Sequence, residues 1–149
     1  MNLKKLFDMQ KKLDEKILER FPHLRNEDLL PKKILALQVE LGELCNCWRG
    51  FKFWSHDQVP RTRVLVNRTT DDIGFKNIGP EHIKNPLLEE YVDCLHFILS
   101  IGLELGITEI YNLSAKKDSD LIFMFMDVNE LSIILMQYDI EGNETYRSI

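Results

Sequence analysis

The chain of 149 residues has no apolar run long enough and free enough of charge to span a bilayer, so no membrane partner is expected. Its amino terminus, "MNLKKLFDMQKKLDEK", lacks the apolar stretch of a secretory signal, and a cytoplasmic location is the expectation. Basic charge is in deficit. Lys and Arg number 19 against 24 Asp and Glu, for a formal charge of -5, which argues against a nucleic-acid polymer as partner, because such binding relies on many cationic contacts to phosphate. An anionic small ligand stays open where a metal ion or a local basic cluster offsets the charge. Cysteine is scarce: Cys45, Cys47 and Cys94 are an odd number, each inside a helical pattern where a small apolar residue would serve, so core packing is the expected role. Cys45 and Cys47 lie two apart and point to different sides of a helix, a poor arrangement for sharing a metal. With 44% hydrophobic and 29% charged residues, the size and composition fit one domain over residues 1–149 with a sizeable core.

What is present is mostly helical pattern. Leu3, Leu6, Phe7, Leu13, Ile17, Leu18 and Phe21 recur at helical spacing until Pro22 closes the run. A polar connection with Asn26, Glu27 and Asp28 leads through Pro31 into a second helix over residues 31–48, with Gly50 marking its end. From residue 56 to 86 the texture changes to "PRTRVLVNRTTDDIGFKNIGP" and its flanks, punctuated by Pro60, Gly74, Gly79, Pro80 and Pro86, without helical period. "RVLV" offers a strand of marginal length, and the whole stretch reads as a flexible loop or lid. "NPLLEEYVDCLHFILSIGLELGI" is apolar nearly all round, as the central helix of a bundle would be. "DLIFMFMDVNELSIILMQY" predicts a fourth helix near residues 120–138, with Gly142 as a breaker and Asn143 as a cap for a helix that has too few residues to finish. The expected fold is all-α, a four-helix bundle with a long loop between helices two and three.

Within "VELGELCNCWRGFKFW", Glu40 falls inside the apolar arc between Leu37, Leu44 and Cys47 at about 100° of turn per residue. Glu43 falls at the arc's edge beside Ala36. On the third helix Glu90 lies between Cys94, Phe97 and Ile101 with Asp93 at the edge, whereas Glu89 shares the polar side with His96 and Ser100. Two helices therefore carry one device, Glu-x-x-Glu and Glu-x-x-Asp. A single such pair is most often a solvated face, and ion pairs from Lys33, Lys52 or Arg49 are a structural alternative. Four carboxylates in apolar arcs repel one another and lose hydration unless cations pair with them. Hard oxygen ligands without suitably spaced His or Cys favour magnesium, or manganese as a substitute, over zinc. Magnesium keeps waters and binds phosphates, which points to hydrolysis of a phosphate ester or phosphoanhydride.

"ALQVELGELCNCWRGFKFWS" followed by "EEYVDCLHFILSIGLELG" resembles the dimeric, all-α dUTPases, relatives of the MazG-like nucleotide pyrophosphatases. The resemblance implies that Glu40, Glu43, Glu90 and Asp93 coordinate magnesium, that water attacks the α-phosphorus of dUTP to release dUMP and pyrophosphate, and that the protein is a homodimer. Glu43, with Glu40 beside it, would orient or deprotonate that water. "MQKKLD" is similar to the family's uracil-reading element, which makes Gln10 and Asp14 candidates for base recognition. "FKFWS" is similar to the element that brings Lys52 to phosphate and Trp54 to base or sugar. Without the resemblance, Trp48, Phe51, Phe53 and Trp54 read as core or dimer interface.

The resemblance covers roughly residues 3–106. The family's late Lys-Asn-x-x-Asn-x-x-Arg motif and Gly-Tyr element, which contact the phosphates, find no match after Thr108, and the chain is expected to stop short of that part of the domain. Arg61, Arg63, Arg68 or Lys76 from the loop, or a second subunit, are expected to replace those cations. Two further readings stand beside a dUTP diphosphatase. One is a pyrophosphatase for another nucleoside triphosphate, and the other is an inactive, truncated relative that serves as a dimerisation or protein-binding module.

Overall fold

A computed structural model describes residues 2–66, 82–107 and 120–147, the segment 138–147 as backbone alone. Helix α1 runs Leu3–Arg20, α2 Leu30–Trp48, α3 Pro86–Glu104 and α4 Leu121–Arg147. The strands β1 Val64–Leu65 and β2 Ile83–Lys84 pair antiparallel, Val64 opposite Lys84 and Leu65 opposite Ile83. The fold is therefore all-α with one two-residue ribbon at the base of the long connection. Residues 67–81, with Arg68 and Lys76, lie outside the described residues, as does the part of the lid reading that falls on them.

Local chemistry sets the helix limits. The Asn2 side chain accepts from the Lys5 amide at 3.1 Å and caps α1, while the Asp28 carboxylate accepts from the Leu30 amide at 3.1 Å ahead of α2. Asn85 caps α3 by accepting from the Leu88 amide at 3.1 Å, and Pro86 occupies the first turn, where its missing N–H costs nothing. The end of α2 falls at Trp48, as expected, with Gly50 two residues beyond. The left-handed residue is Arg49 at φ 66°, whose amide donates to the Cys45 carbonyl at 2.8 Å, and Gly50 follows it. Gly50 is required for space: a Cβ there would overlap the Trp48 indole. At the end of α3, Gly106 does take the left-handed conformation, at φ 73°. Helix α4 departs from expectation, because Gly142 does not stop it and the helix continues to Arg147. One helical Gly costs only about 1 kcal/mol relative to Ala, which a long helix tolerates.

Leu30, Ile34, Leu37, Leu41 and Leu44 recur at steps of three and four on α2 and form the spine of the core with Cys94 and Ile101 of α3. Leu87, Phe97, Phe125, Val128 and Met136 pack around it, half-buried. Helix α3 is central: α2 packs along one side and α1 on another, where Phe7 meets Gly102. This explains why α3 is apolar nearly all round. Helix α4 lies on α2, its register fixed by Gln38 donating to the Ser132 hydroxyl at 3.0 Å. Away from that contact it is exposed and apolar at Phe123, Met126, Leu131 and Ile133. Among the described residues no helix is long and apolar enough to cross a membrane.

Candidate metal centre

The packing of α2 on α3 turns the two acid-bearing arcs toward each other. One carboxylate oxygen from each of Glu40, Glu90 and Asp93 lies within 4.8 Å of the other two. Glu40 and Glu90 are half-buried, while Glu43 and Asp93 are exposed, so the group forms a short slope from the helix interface to solvent. Burial, then the charges of Glu43 and Asp93, push the Glu40 carboxyl above the usual carboxylate range. Burial, then Glu43, Glu40 and Asp93, do the same to Glu90, which stands in hydrogen-bond range of both Glu40 and Glu43. Carboxylates this close repel one another when ionised, and a cation between them would relieve that repulsion.

The cations expected to pair with these acids, and two others near the helix ends, are engaged elsewhere. Lys33 reaches Asp14 at 3.7 Å and Glu104 at 2.5 Å, Arg49 and Arg61 hold Asp57, and Lys84 lies 3.9 Å from Glu89. Lys52 rests over the Phe51 ring, 5.6 Å from its centroid. Ion pairing by Lys33, Lys52 or Arg49 is thus not what compensates the acids. The nearby thiols are unsuited to ligation, since burial, followed by Glu40 and other neighbours, pushes Cys94 up to about 12. Cys47 is raised too, first by burial and then by Glu90 and Glu43, with Arg61 opposing. An all-carboxylate set with no thiolate fits a hard divalent ion such as magnesium.

The remaining sequence candidates are distributed differently. Gln10 is 4% exposed and lies one turn along α3 from the acids, where its Nε2 donates to Asp14 at 2.7 Å and its Oε1 meets His96 Nδ1 at 2.6 Å. The second oxygen of Asp14 accepts from the Ser100 hydroxyl at 2.6 Å. An ionised Asp14 only accepts, so Gln10 presents its amide nitrogen to Asp14 and its oxygen to His96, which makes His96 Nδ1 the donor. His96, Ser100 and Lys33 were no part of the expected site. The signal for His96 and Ser100 is the polar side of α3 that they share with Glu89, whereas the sequence offers Lys33 of α2 only as an ion-pair partner of the acids. Trp54 is 65% exposed and stacks edge-on with Phe51 and Phe53, whereas Trp48 packs against Phe125 in the bundle. The structure does not bring Lys52 or Trp54 into contact with the carboxylates among the described contacts.

A family model described as dUTPase matches the chain over residues 2–78 and 74–147. The second segment extends well past Thr108, beyond the span in which the motifs are recognisable. No curated protein and no solved structure matches the chain.

Proposed function

The chain belongs to the all-α dUTPase family, and from that premise we propose that it hydrolyses dUTP to dUMP and pyrophosphate in the presence of magnesium. The observation that carries the proposal is the convergence of Glu40, Glu90 and Asp93 within 4.8 Å, with no described Lys or Arg paired to them. When bound, magnesium (or manganese) supplies positive charge against phosphate oxygens and a more acidic water. Glu40, Glu90 and Asp93 are the residues that would hold it, with Glu43 beside them.

Glu43 is exposed at the mouth of the group, free to face an incoming water. In the proposed reaction it accepts a proton as the water oxygen bonds to the α-phosphorus, and the bond from that phosphorus to the bridging oxygen breaks to release pyrophosphate. Half-burial of Glu40 and Glu90 limits competing bulk water. On the base side, Gln10 retains one N–H and one oxygen lone pair after its bonds to Asp14 and His96, a match to the acceptor and donor of uracil. Gln10 is buried, so this contact requires α1 to open from α3, and α1 buries only Phe7 and Gln10. Lys52 and Trp54 would then meet phosphate and sugar from the turn after α2.

The internal satisfaction of Gln10 and Asp14 favours a second reading, a pyrophosphatase selective for another nucleoside triphosphate. The exposed apolar face of α4 supports a homodimer, and would be the asset of an inactive binding module. A cytoplasmic setting, where nucleoside triphosphates are available, belongs to the same proposal. The test is pyrophosphate release from a panel of nucleoside triphosphates, with magnesium and with EDTA. Fastest turnover of dUTP, abolished by EDTA, is expected; equal or faster turnover of another nucleotide selects the second reading, and no turnover of any rejects both enzymatic readings.

A further inference from the structure

The segment after α2 doubles back across the ends of the two acid-bearing helices. The Arg61 amide donates to the Cys47 carbonyl at 2.9 Å, and the Arg61 carbonyl accepts from the Leu87 amide at 3.0 Å. Cys47 is one turn beyond Glu43 on α2, and Leu87 is one turn before Glu90 on α3. The backbone at Arg61 is therefore stapled to both helices beside the carboxylate group, and the Leu87 bond uses an amide that the first turn of α3 leaves without a helical partner.

The Arg61 side chain is held less firmly. Both of its terminal nitrogens reach the Asp57 carboxylate, one at 3.3 Å and the other closer, in a pair that is 38% and 50% exposed. Arg49 also serves Asp57, through the backbone carbonyl, with Nε at 2.9 Å and Nη2 at 2.8 Å, and Nη2 lies 3.6 Å from the carboxylate. Two guanidinium groups thus share one carboxylate. Arg49 is 17% exposed and would keep its carbonyl contact if that carboxylate were removed. Arg61 has a carbonyl partner of its own, Nη1 donating to Val59 at 3.5 Å, so what sets it apart is its two-pronged hold on the Asp57 carboxylate and its greater exposure, 38% against 17% for Arg49. Its two backbone bonds place Arg61 between the end of α2, one turn from Glu43, and the start of α3, one turn from Glu90.

From this geometry we infer that Arg61 is the chain's own phosphate-side cation for a polyphosphate held at the carboxylate group, with Asp57 as a stand-in anion that the polyphosphate displaces; the inference rests on the nucleotide pyrophosphatase reading above. A guanidinium fork fits a phosphate as it fits a carboxylate, and an exposed ion pair is weak enough to exchange for a more highly charged anion. No covalent step is involved.

The sign of two substitutions tests it. Binding of inorganic triphosphate with magnesium is measured by calorimetry on the full chain, alongside thermal melts and dUTP turnover. Arg61→Gln is expected to weaken triphosphate binding by about 10-fold or more, and Asp57→Asn to tighten it by about 3-fold to 10-fold. Arg61→Lys keeps the charge but loses the fork, and falls between. A merely structural pair would make both substitutions lower the melting temperature and weaken binding alike, which overturns the inference. Unchanged binding by Arg61→Gln, with dUTP still turned over by the wild type, overturns it while sparing the pyrophosphatase reading. Neither triphosphate binding nor turnover by the wild type overturns both. Should Arg61→Gln fail to fold, the direction of the Asp57→Asn effect decides.

Discussion

Replacing Glu40 with Gln should stabilise the metal-free protein at neutral pH. The substitution preserves shape and removes one charge from a group whose oxygens lie within 4.8 Å of one another. At that separation two carboxylates repel by about 3.5 kcal/mol at an effective dielectric of about 20, and by about 0.9 kcal/mol at the dielectric of water. Glu40 and Glu90 are half-buried and Asp93 exposed, so screening brings the expected gain to roughly 1–3 kcal/mol at low salt. The Gln amide also gives Glu90 a donor in place of a competing acceptor. The pH dependence follows from the direction of the shifts. Glu40 and Glu90 are raised above the ordinary value of 4.5, so the folded state holds protons that the unfolded state has released. Wild-type stability from these groups is present below 4.5 and is lost as the pH rises through their raised folded values. The advantage of Glu40→Gln should therefore vanish below that value. Urea unfolding in EDTA across pH measures it, and magnesium should reverse the order by stabilising the wild type more than the variant. A variant less stable than wild type at pH 7 in EDTA, or a wild type indifferent to millimolar magnesium, would refute the argument that these acids need a cation.

Glu43→Gln should lower dUTP turnover by about 100-fold to 10,000-fold if Glu43 takes the proton of the attacking water, with magnesium-induced stabilisation retained; equal loss of both would move Glu43 into the ligand set. Ile34 is 0% exposed, and Ile34→Ala should cost about 2–5 kcal/mol by urea unfolding. His96→Leu leaves the Gln10 oxygen without its donor and should cost about 1–3 kcal/mol, whereas His96→Asn, which can present an amide N–H near the Nδ1 position, should recover much of it. Identical stabilities for the Leu and Asn variants would remove the hydrogen bond from the account of how α1 docks.

The readable parts of this molecule are those that period 3.6 controls. Leu30 to Leu44 on α2 announce their buried stripe, and the same arithmetic puts Glu40 and Glu90 within apolar arcs. That the two arcs face one another depends on how α2 packs on α3, which no local spacing encodes. Contacts between distant positions stay hidden for the same reason: Gln10 and His96 are 86 residues apart. Gly50 marks the end of α2 correctly but Gly142 misleads, because glycine signals permission and not obligation. Arg49 takes the left-handed turn while Gly50 answers to the bulk of Trp48, and α4 passes through Gly142 because the loss of one favourable residue is small beside a long helix. Strand β2 is invisible because two residues carry no period at all.

One stripe of α3 explains why the acids at its start differ from the acid at its end. At about 100° per residue, Asp93, His96, Ser100 and Glu104 descend a single polar side of the helix. At the lower end Lys33 of α2 bridges Asp14 of α1 and Glu104 of α3, so one half-buried lysine joins three helices and offsets part of the local charge. In the middle, Gln10 and Ser100 fill the donor and acceptor positions without any net charge. At the upper end Glu40 of α2 adds to Glu90 and Asp93, and no described cation arrives. Helix α2 carries Glu43 and Cys47 in its next two turns, and no lysine. The stripe is therefore closed by protein charge at one end and carries carboxylates without a described protein cation at the other, where the proposed magnesium would bind.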